Sequence, residues 1–376
     1  MERNIELVNK LTLSRLTYFQ QGGATKECEH FGSATAAMEA RSDMARARLR
    51  GANGSDSALK AIEAARQKAE EELAFAEKAG IKVLAWGDAD YPQRLKGCDD
   101  APLVLFSKGN ATLNVPRAVS IVGTRNCTQY GQDFIKKLVE ELSAMCPQLL
   151  IVSGLAYGVD IHAHREAMDN KLPTVAVLAH GLDRIYPSLH RPDAVRMVEH
   201  GALLTEYFTG TRPDKLNFLR RNRIVAGLTD ATVVIESASH GGALATARIA
   251  KDYGRQVMAV PGRATDTYSQ GCNKIIRDRQ ATLITSAADL MFILQWADEA
   301  QMAQKRKAGI ELSLFPDLTE EEQQLVNLLQ TEGDLQLNSM TMKTSQPVNQ
   351  VAANLFSLEM KGVVRVLAGG IYHLIS

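Results

Sequence analysis

The sequence predicts an α/β protein built on a doubly wound parallel sheet, with an N-terminal helical domain (residues 1–80) and a C-terminal winged helix (residues 318–376). Three observations carry this. Between 117 and 300, short apolar runs alternate with helix-like stretches, the pattern of parallel strands joined by crossovers. The first 80 residues are rich in helix formers. The last stretch reads as helices followed by two short strands around a glycine pair.

Composition narrows the function classes. At 376 residues, the chain has room for two or three domains. Forty-three basic and 43 acidic residues cancel, and any attraction to nucleic acid or membrane must therefore be local. The five cysteines are scattered without a CxxC pair, which fits a reducing compartment rather than a disulfide framework or zinc site. MERNIELVNK carries no apolar leader and no run approaches the length of a membrane span. A cytoplasmic protein with no membrane partner is expected.

Taken in order, Leu7, Leu11, Leu16 and Phe19 give an irregular apolar face, and Ala58–Gly80 is a helix ending in glycine. Gly22-Gly23 is either the hairpin of a helix-hairpin-helix (or SAM-like) unit or a turn in a small packing domain. IKVLAWGD, DYPQRL and APLVLFSKGN then read as short strands. From Ala118 the sheet proper begins: AVSIV stops at Gly123, turns through Thr124-Arg125-Asn126 and opens a helix near Gln129. LLIVSG, a helix through Ala167, TVAVLA, ALLTEY, ATVVIES, QVMAVPG and TLIT continue the series to about residue 300. The loops after these strands fall on one sheet edge, where a ligand binds in such folds. Residues 301–317 read as a linker. Beyond them lie a capping box at Thr319 and Glu322, a helix led by Pro347, and a hairpin turned by Gly369-Gly370.

The sheet edge sets the chemistry. A Rossmann-like dinucleotide site needs G-x-G-x-x-G, but Gly123 is followed two residues on by Arg125, and no P-loop exists. No cofactor is expected, although the turn and its arginine suit a simple phosphate. Asp160, His162 and His164 mimic a metal triad. On a helix, however, residues two apart diverge by about 200°, which favours a structural role and no metal. Glu206 and Glu236 end strands at the ligand edge and read either as catalytic carboxylates or as groups that order neighbouring loops; no catalytic residue is assigned. The decisive stretch is RPDKLNFLRRNR. Arg212, Lys215, Arg220, Arg221 and Arg223 crowd into twelve residues of a neutral chain, and Phe218 shares a helical side with Lys215. Cations beside an aromatic are the ingredients of a single-strand nucleic-acid site.

Together, DYPQRL, APLVLFSKGN, SIVGTR, SGLAYGVDIHAH, GLDRIYP, LLTEY, NFLRRNRIVAGL, GGALATARIA, VMAVPG and SQGCNKII resemble the DprA/Smf family of DNA-processing proteins, from about Ile81 to the C terminus. The resemblance implies a non-enzymatic protein that protects incoming single-stranded DNA in natural transformation and loads a RecA-type recombinase. It implies phosphate contact by Arg125, Lys215 and the Arg221-Asn222-Arg223 motif, with Phe218 against a base. Gly123, Thr124, Gly154, Gly241 and Gly242 would line the same pocket. Asn273, Ile275 and Ile276 in SQGCNKII would lie at a homodimer and recombinase surface. The chain departs from the family at Tyr157, where some members carry lysine, at His240-Gly241-Gly242, and over Asp278–Ala281. The helix Pro347–Lys361 offers Asn349, Gln350 and Asn354 with no cation before Lys361, which suits a protein-contact or regulatory module better than duplex binding. The alternative is a nucleotide-binding or nucleotide-hydrolysing enzyme on the same fold, acting through Glu236 or Glu206.

Overall fold

Five strands of apolar and small residues, their few hydroxyls bonded inside the sheet, make its centre: β3 (Ala118–Val122), β4 (Leu150–Ser153), β5 (Thr174–Val177), β6 (Gly201–Thr205) and β7 (Ala231–Val234) are buried at every residue. A computed structural model describes residues 2–18, 20–49, 56–296, 318–344, 346–361, 363–367 and 371–374. The expectations for Phe19, the 301–317 linker and the Gly369-Gly370 turn lie outside them. The chain forms two compact units, divided after Trp296.

In the first unit, β1 (Lys82–Ala85), β2 (Val104–Gly109), β8 (Gln256–Ala259) and β9 (Thr282–Leu283) complete a nine-stranded sheet of order β1-β2-β6-β5-β4-β3-β7-β8-β9. Strands β3 to β9 pair in parallel, whereas β1 with β2 and β2 with β6 run antiparallel. From β3 the chain builds outward through β4, β5 and β6, then returns to β7 on the other side. That reversal leaves a crevice at the carboxyl ends of β3 and β7. Helices α6 (Gln129–Met145), α7 (Val159–Asp169), α8 (Arg191–His200), α9 (Lys215–Gly227), α10 (Gly242–Asp252), α11 (Gln270–Arg277) and α12 (Ala287–Ile293) follow the strands.

Two expectations are corrected. DYPQRL is not a strand. Pro92 starts a short helix, α5 (Gln93–Lys96), and Tyr91 and Leu95, four residues apart, are both fully buried, a spacing that serves a helix. Residues 1–80 are not a separate compact unit either. Helices α1 (Glu2–Leu16), α2 (Gly23–Phe31), α3 (Ala34–Leu49) and α4 (Ser57–Ala79) share one apolar core with Ile81, Ala85, Leu103, Val104, Phe106 and Phe208. Their alanine-rich faces are shallow, and they bury against one another and against the antiparallel edge of the sheet. Gly22, at φ 68°, ends the α1–α2 turn, and a Cβ there would lie 2.7 Å from the Asp100 Cα. Gly22 thus serves close packing onto this protein's own backbone.

The second unit holds α13 (Glu320–Glu332), α14 (Leu337–Thr344), α15 (Val348–Met360) and the antiparallel strands β10 (Leu335–Gln336), β12 (Ile371–Leu374) and β11 (Val364–Leu367), in that spatial order. The capping box forms, with Thr319 N donating to Glu322 (2.8 Å) and Glu322 N to the Thr319 hydroxyl (3.2 Å). Lys361, the one cation the α15 region offers, is held by Glu322 at 2.7 Å. No helix among the described residues is long and apolar enough to cross a membrane.

Candidate nucleic-acid interface

The loop after β3 is pinned from beneath. Thr124 N donates to the Glu236 carbonyl (2.7 Å), and the Thr124 carbonyl accepts from Val159 N (3.1 Å). Gly158, at φ 74°, lets the start of α7 lie against this loop: a Cβ there would sit 2.5 Å from the Arg125 carbonyl carbon and closer still to the Thr124 oxygen. The Glu236 carboxylate accepts from Thr128 N (2.8 Å) and the Thr128 hydroxyl (2.6 Å) at the head of α6. Its visible task is to order the loop that presents Arg125.

Opposite, Asp214 caps α9 by accepting from Leu216 N (2.8 Å) and Asn217 N (3.0 Å). Lys215, Phe218, Leu219 and Asn222 follow at helical spacing, and all face one cleft of about 590 Å³. The exposed Arg125 guanidinium lies 5.3 Å above the Phe218 ring, and the half-exposed Tyr186 ring sits 5.8 Å from it. The far wall is the amino end of α10, where Gly241 has no side chain to cap Gly242 and Ala243. Free N–H groups there add to the pull of Arg125 and Lys215 on an anion.

Arg221 forms the floor. It is buried, donates from Nη1 to the Gly154 carbonyl (2.8 Å) and to the Val177 carbonyl, and reaches Asn222 Oδ1 from Nε (3.3 Å). Gly154 is glycine because a Cβ would lie 2.5 Å from the Arg221 Cζ. Burial lowers the Arg221 pKa, and the nearby Asp160 carboxylate opposes that. Burial raises Asp160 in turn, against Arg221 and the amides of Ala156 and Gly154.

Ten expected residues converge here: Gly123, Thr124, Arg125, Gly154, Lys215, Phe218, Arg221, Asn222, Gly241 and Gly242. Arg223 does not. The two-residue step of about 200° carries it to the opposite side of α9, where it pairs through Nη2 with Glu206. Burial pushes the Glu206 carboxyl up, and Arg223 pulls it back. The three residues expected at a homodimer and recombinase surface lie on α11. Ile275 is buried in the main core, Ile276 packs half-buried against it, and Asn273 ties both backbone polar groups of Gly262 (3.2 and 2.9 Å). On this eight-residue helix Ile275 faces the core, while Asn273 and Ile276 stay partly exposed.

Asp160, His162 and His164 form no metal site, and no cluster of three ligand-type side chains exists among the described residues. His164 is wholly buried, with Nδ1 2.7 Å from the Thr174 hydroxyl, and burial pushes its pKa down to about 3. The native state refuses a proton that the unfolded chain accepts near 6.5. Stability is therefore complete above that value and lost as pH falls toward 3, by up to about 1.4 kcal/mol per pH unit. Urea titrations from pH 7 to 5 should show this slope, shallower by that amount in His164→Gln.

Sequence reasoning missed Tyr186, Leu219 and Gly158. Leu219 was available from the i, i+4 spacing to Lys215, whereas Tyr186 arrives from a distant loop with no local signal.

Residues 82–295 match the model of the family described as DNA recombination-mediator protein A. The chain belongs to that family. The matched residues hold every side chain of the cleft. The DNA processing protein DprA of Bacillus subtilis is 39% identical over 220 residues, 58% of this chain and 73% of that protein. Among solved structures, DNA processing protein A (DprA) from Streptococcus pneumoniae superposes with a TM-score of 0.56 at 34% identity, covering 62% of this chain and 81% of that one. DNA processing protein A from Helicobacter pylori, whose structure addresses its single-stranded-DNA binding mode, gives 0.52 at 29% identity, covering 57% and 95%.

Proposed function

We propose that this chain binds single-stranded DNA in the α9–α10 cleft, protects it without catalysing a reaction, and passes it to a RecA-type recombinase. The observation that carries this is the grouping of Arg125, Lys215 and the uncapped end of α10 around the half-exposed Phe218. Cations on two walls neutralise successive phosphates, while the aromatic supplies a face for a base. Family membership and the likeness to the Helicobacter pylori protein, whose structure addresses single-stranded-DNA binding, support the same reading. Both carboxylates that a hydrolase would use are engaged, Glu236 with Thr128 and Glu206 with Arg223, which favours binding over hydrolysis. The second unit has the helix and strand content of a winged helix. Its α15 face, with Asn349 and Gln350 and with Lys361 already paired, suits a protein partner. A homodimer would place two such clefts on one assembly.

The test is an anisotropy titration of a roughly 30-nucleotide single strand over a salt series, with a duplex competitor. Arg125→Ala and Lys215→Ala should each weaken binding about ten-fold or more and flatten the dependence of log affinity on log salt by about one phosphate. Phe218→Ala should weaken it by about 1–3 kcal/mol at an unchanged salt slope. Binding indifferent to all three, or preferring duplex, overturns the cleft assignment.

A further inference from the structure

Helix α9 has a second face, and the N-terminal helices hold it. Tyr18, just beyond α1, donates its hydroxyl to Asn217 Oδ1 (3.0 Å) in the first turn of α9. Asn217 is buried, donates from Nδ2 to the Arg212 carbonyl (3.3 Å), and its own carbonyl accepts from the Tyr207 hydroxyl (3.2 Å). The Tyr18 ring stands edge-to-face on Tyr207 (6.1 Å) with the Arg220 guanidinium 5.6 Å above it. Asn217 and Arg220 are three residues apart and face this layer, whereas Lys215, Phe218 and Asn222 face the cleft.

The loop leading into α9 is held from the same side. Buried Glu72 of α4 accepts from Thr209 N (2.9 Å) and from the Thr209 hydroxyl (2.7 Å). Phe208 sits in the core shared with α1–α4, edge-to-face with Phe106 (5.5 Å), with Arg15 of α1 5.8 Å over its ring. Further contacts, Gly210 N to Asp183 (3.2 Å) and Gly181 N to the Thr211 carbonyl (3.4 Å), hold the loop's middle but not the first turn of α9. Residues 2–81 lie outside the family match, yet their side chains fix the turn that presents Lys215 and Phe218.

We infer that Tyr18 and Glu72 are positioning residues for the single-strand cleft, and that the N-terminal helical layer sets its affinity without touching DNA. The inference rests on the proposed function of the cleft. A turn held in its bound geometry has less ordering to do when a strand arrives, and coupling of this kind is reciprocal: a bound strand strengthens the Tyr18–Asn217 contact.

The experiment uses the full chain and a 30-nucleotide thymidine strand over a salt series. Tyr18→Phe removes one hydroxyl and should weaken binding roughly five-fold, the size of one neutral hydrogen bond. It should also flatten the salt slope toward that of Lys215→Ala, because a loosened first turn no longer holds Lys215 on its phosphate. In a Lys215→Ala background the penalty of Tyr18→Phe should shrink. Glu72→Ala should weaken binding in the same way, with most of the affinity recovered in Glu72→Gln, which keeps an acceptor for Thr209. Amide exchange should quicken at residues 214–219 in Tyr18→Phe while β3 to β7 exchange as in the parent chain. If Arg125→Ala weakens binding but Tyr18→Phe and Glu72→Ala both bind as the parent does, this inference fails alone. If Arg125→Ala changes nothing, the cleft reading itself has failed. A Tyr18→Phe loss with an unchanged salt slope and no change in exchange at 214–219 also overturns it, since a general loss of fold would spread across the unit.

Discussion

Gly158→Ala is expected to lower stability by about 3 kcal/mol and to weaken strand binding roughly ten-fold or more, although no part of Gly158 need touch DNA. Its backbone, at φ 74° and ψ −126°, lies where a residue with a Cβ is strained. The new methyl group would also meet backbone, the Arg125 carbonyl carbon at 2.5 Å and its oxygen at 2.6 Å, not the free end of a side chain. That backbone cannot step aside cheaply, because Thr124 is tied on one side to the Glu236 carbonyl and on the other to Val159 N. Relief comes only by lifting the loop that carries Arg125 away from Phe218. Gly97→Ala, outside the cleft, is the control. At φ −79° its Cβ would meet only ordinary contact, with the Arg94 carbonyl oxygen at 3.7 Å. Urea midpoints for both variants, with titrations at a temperature where each is folded, check this. Equal losses in the two would show that the close approach of Gly158 to the loop is not what holds Arg125.

The same contrast explains which parts of the molecule were legible in its sequence. Strands β3 to β7 were readable because a strand buried on both faces tolerates few polar residues, and AVSIV or ATVV leave no competing interpretation. The cleft was readable through Lys215 and Phe218, whose three-residue spacing places them on one helical side. Counting charges in RPDKLNFLRRNR was a poorer guide, because it ignores the angular step that sends Arg221 beneath the cleft and Arg223 behind the helix. At Ile81 the change of composition marks where helices give way to strands, yet packing continues across it, since Leu11, Ala69 and Phe106 belong to one core. DYPQRL was misread because Pro92 is equally at home in a turn between strands and at a helix start. Only the burial of both Tyr91 and Leu95 decides it. Contacts such as Tyr18 to Asn217, 199 residues apart, have no sequence signal at all.

Arg223→Met is expected to destabilise the chain by about 3 kcal/mol while leaving the salt slope of strand binding unchanged, whereas a phosphate-contacting arginine would do the reverse. Arg223 is 3% exposed, and its Nε and Nη1 have no hydrogen-bond partner among the described residues. The Glu206 pair is what compensates its charge. Removing the guanidinium leaves a carboxylate in the same low-dielectric setting, the costly half of a broken pair. Burial already raises the Glu206 pKa, and Arg223 is the main force opposing that. In the variant the native state should hold a proton that the unfolded chain has released. Its stability is then greatest below the unfolded carboxyl value of about 4.3 and falls as pH rises through the elevated native one. Acid should therefore narrow the gap between variant and parent, and Arg223→Met/Glu206→Leu should recover most of the loss at neutral pH. A folded, stable Arg223→Met with a salt slope reduced by about one would instead place Arg223 on a phosphate.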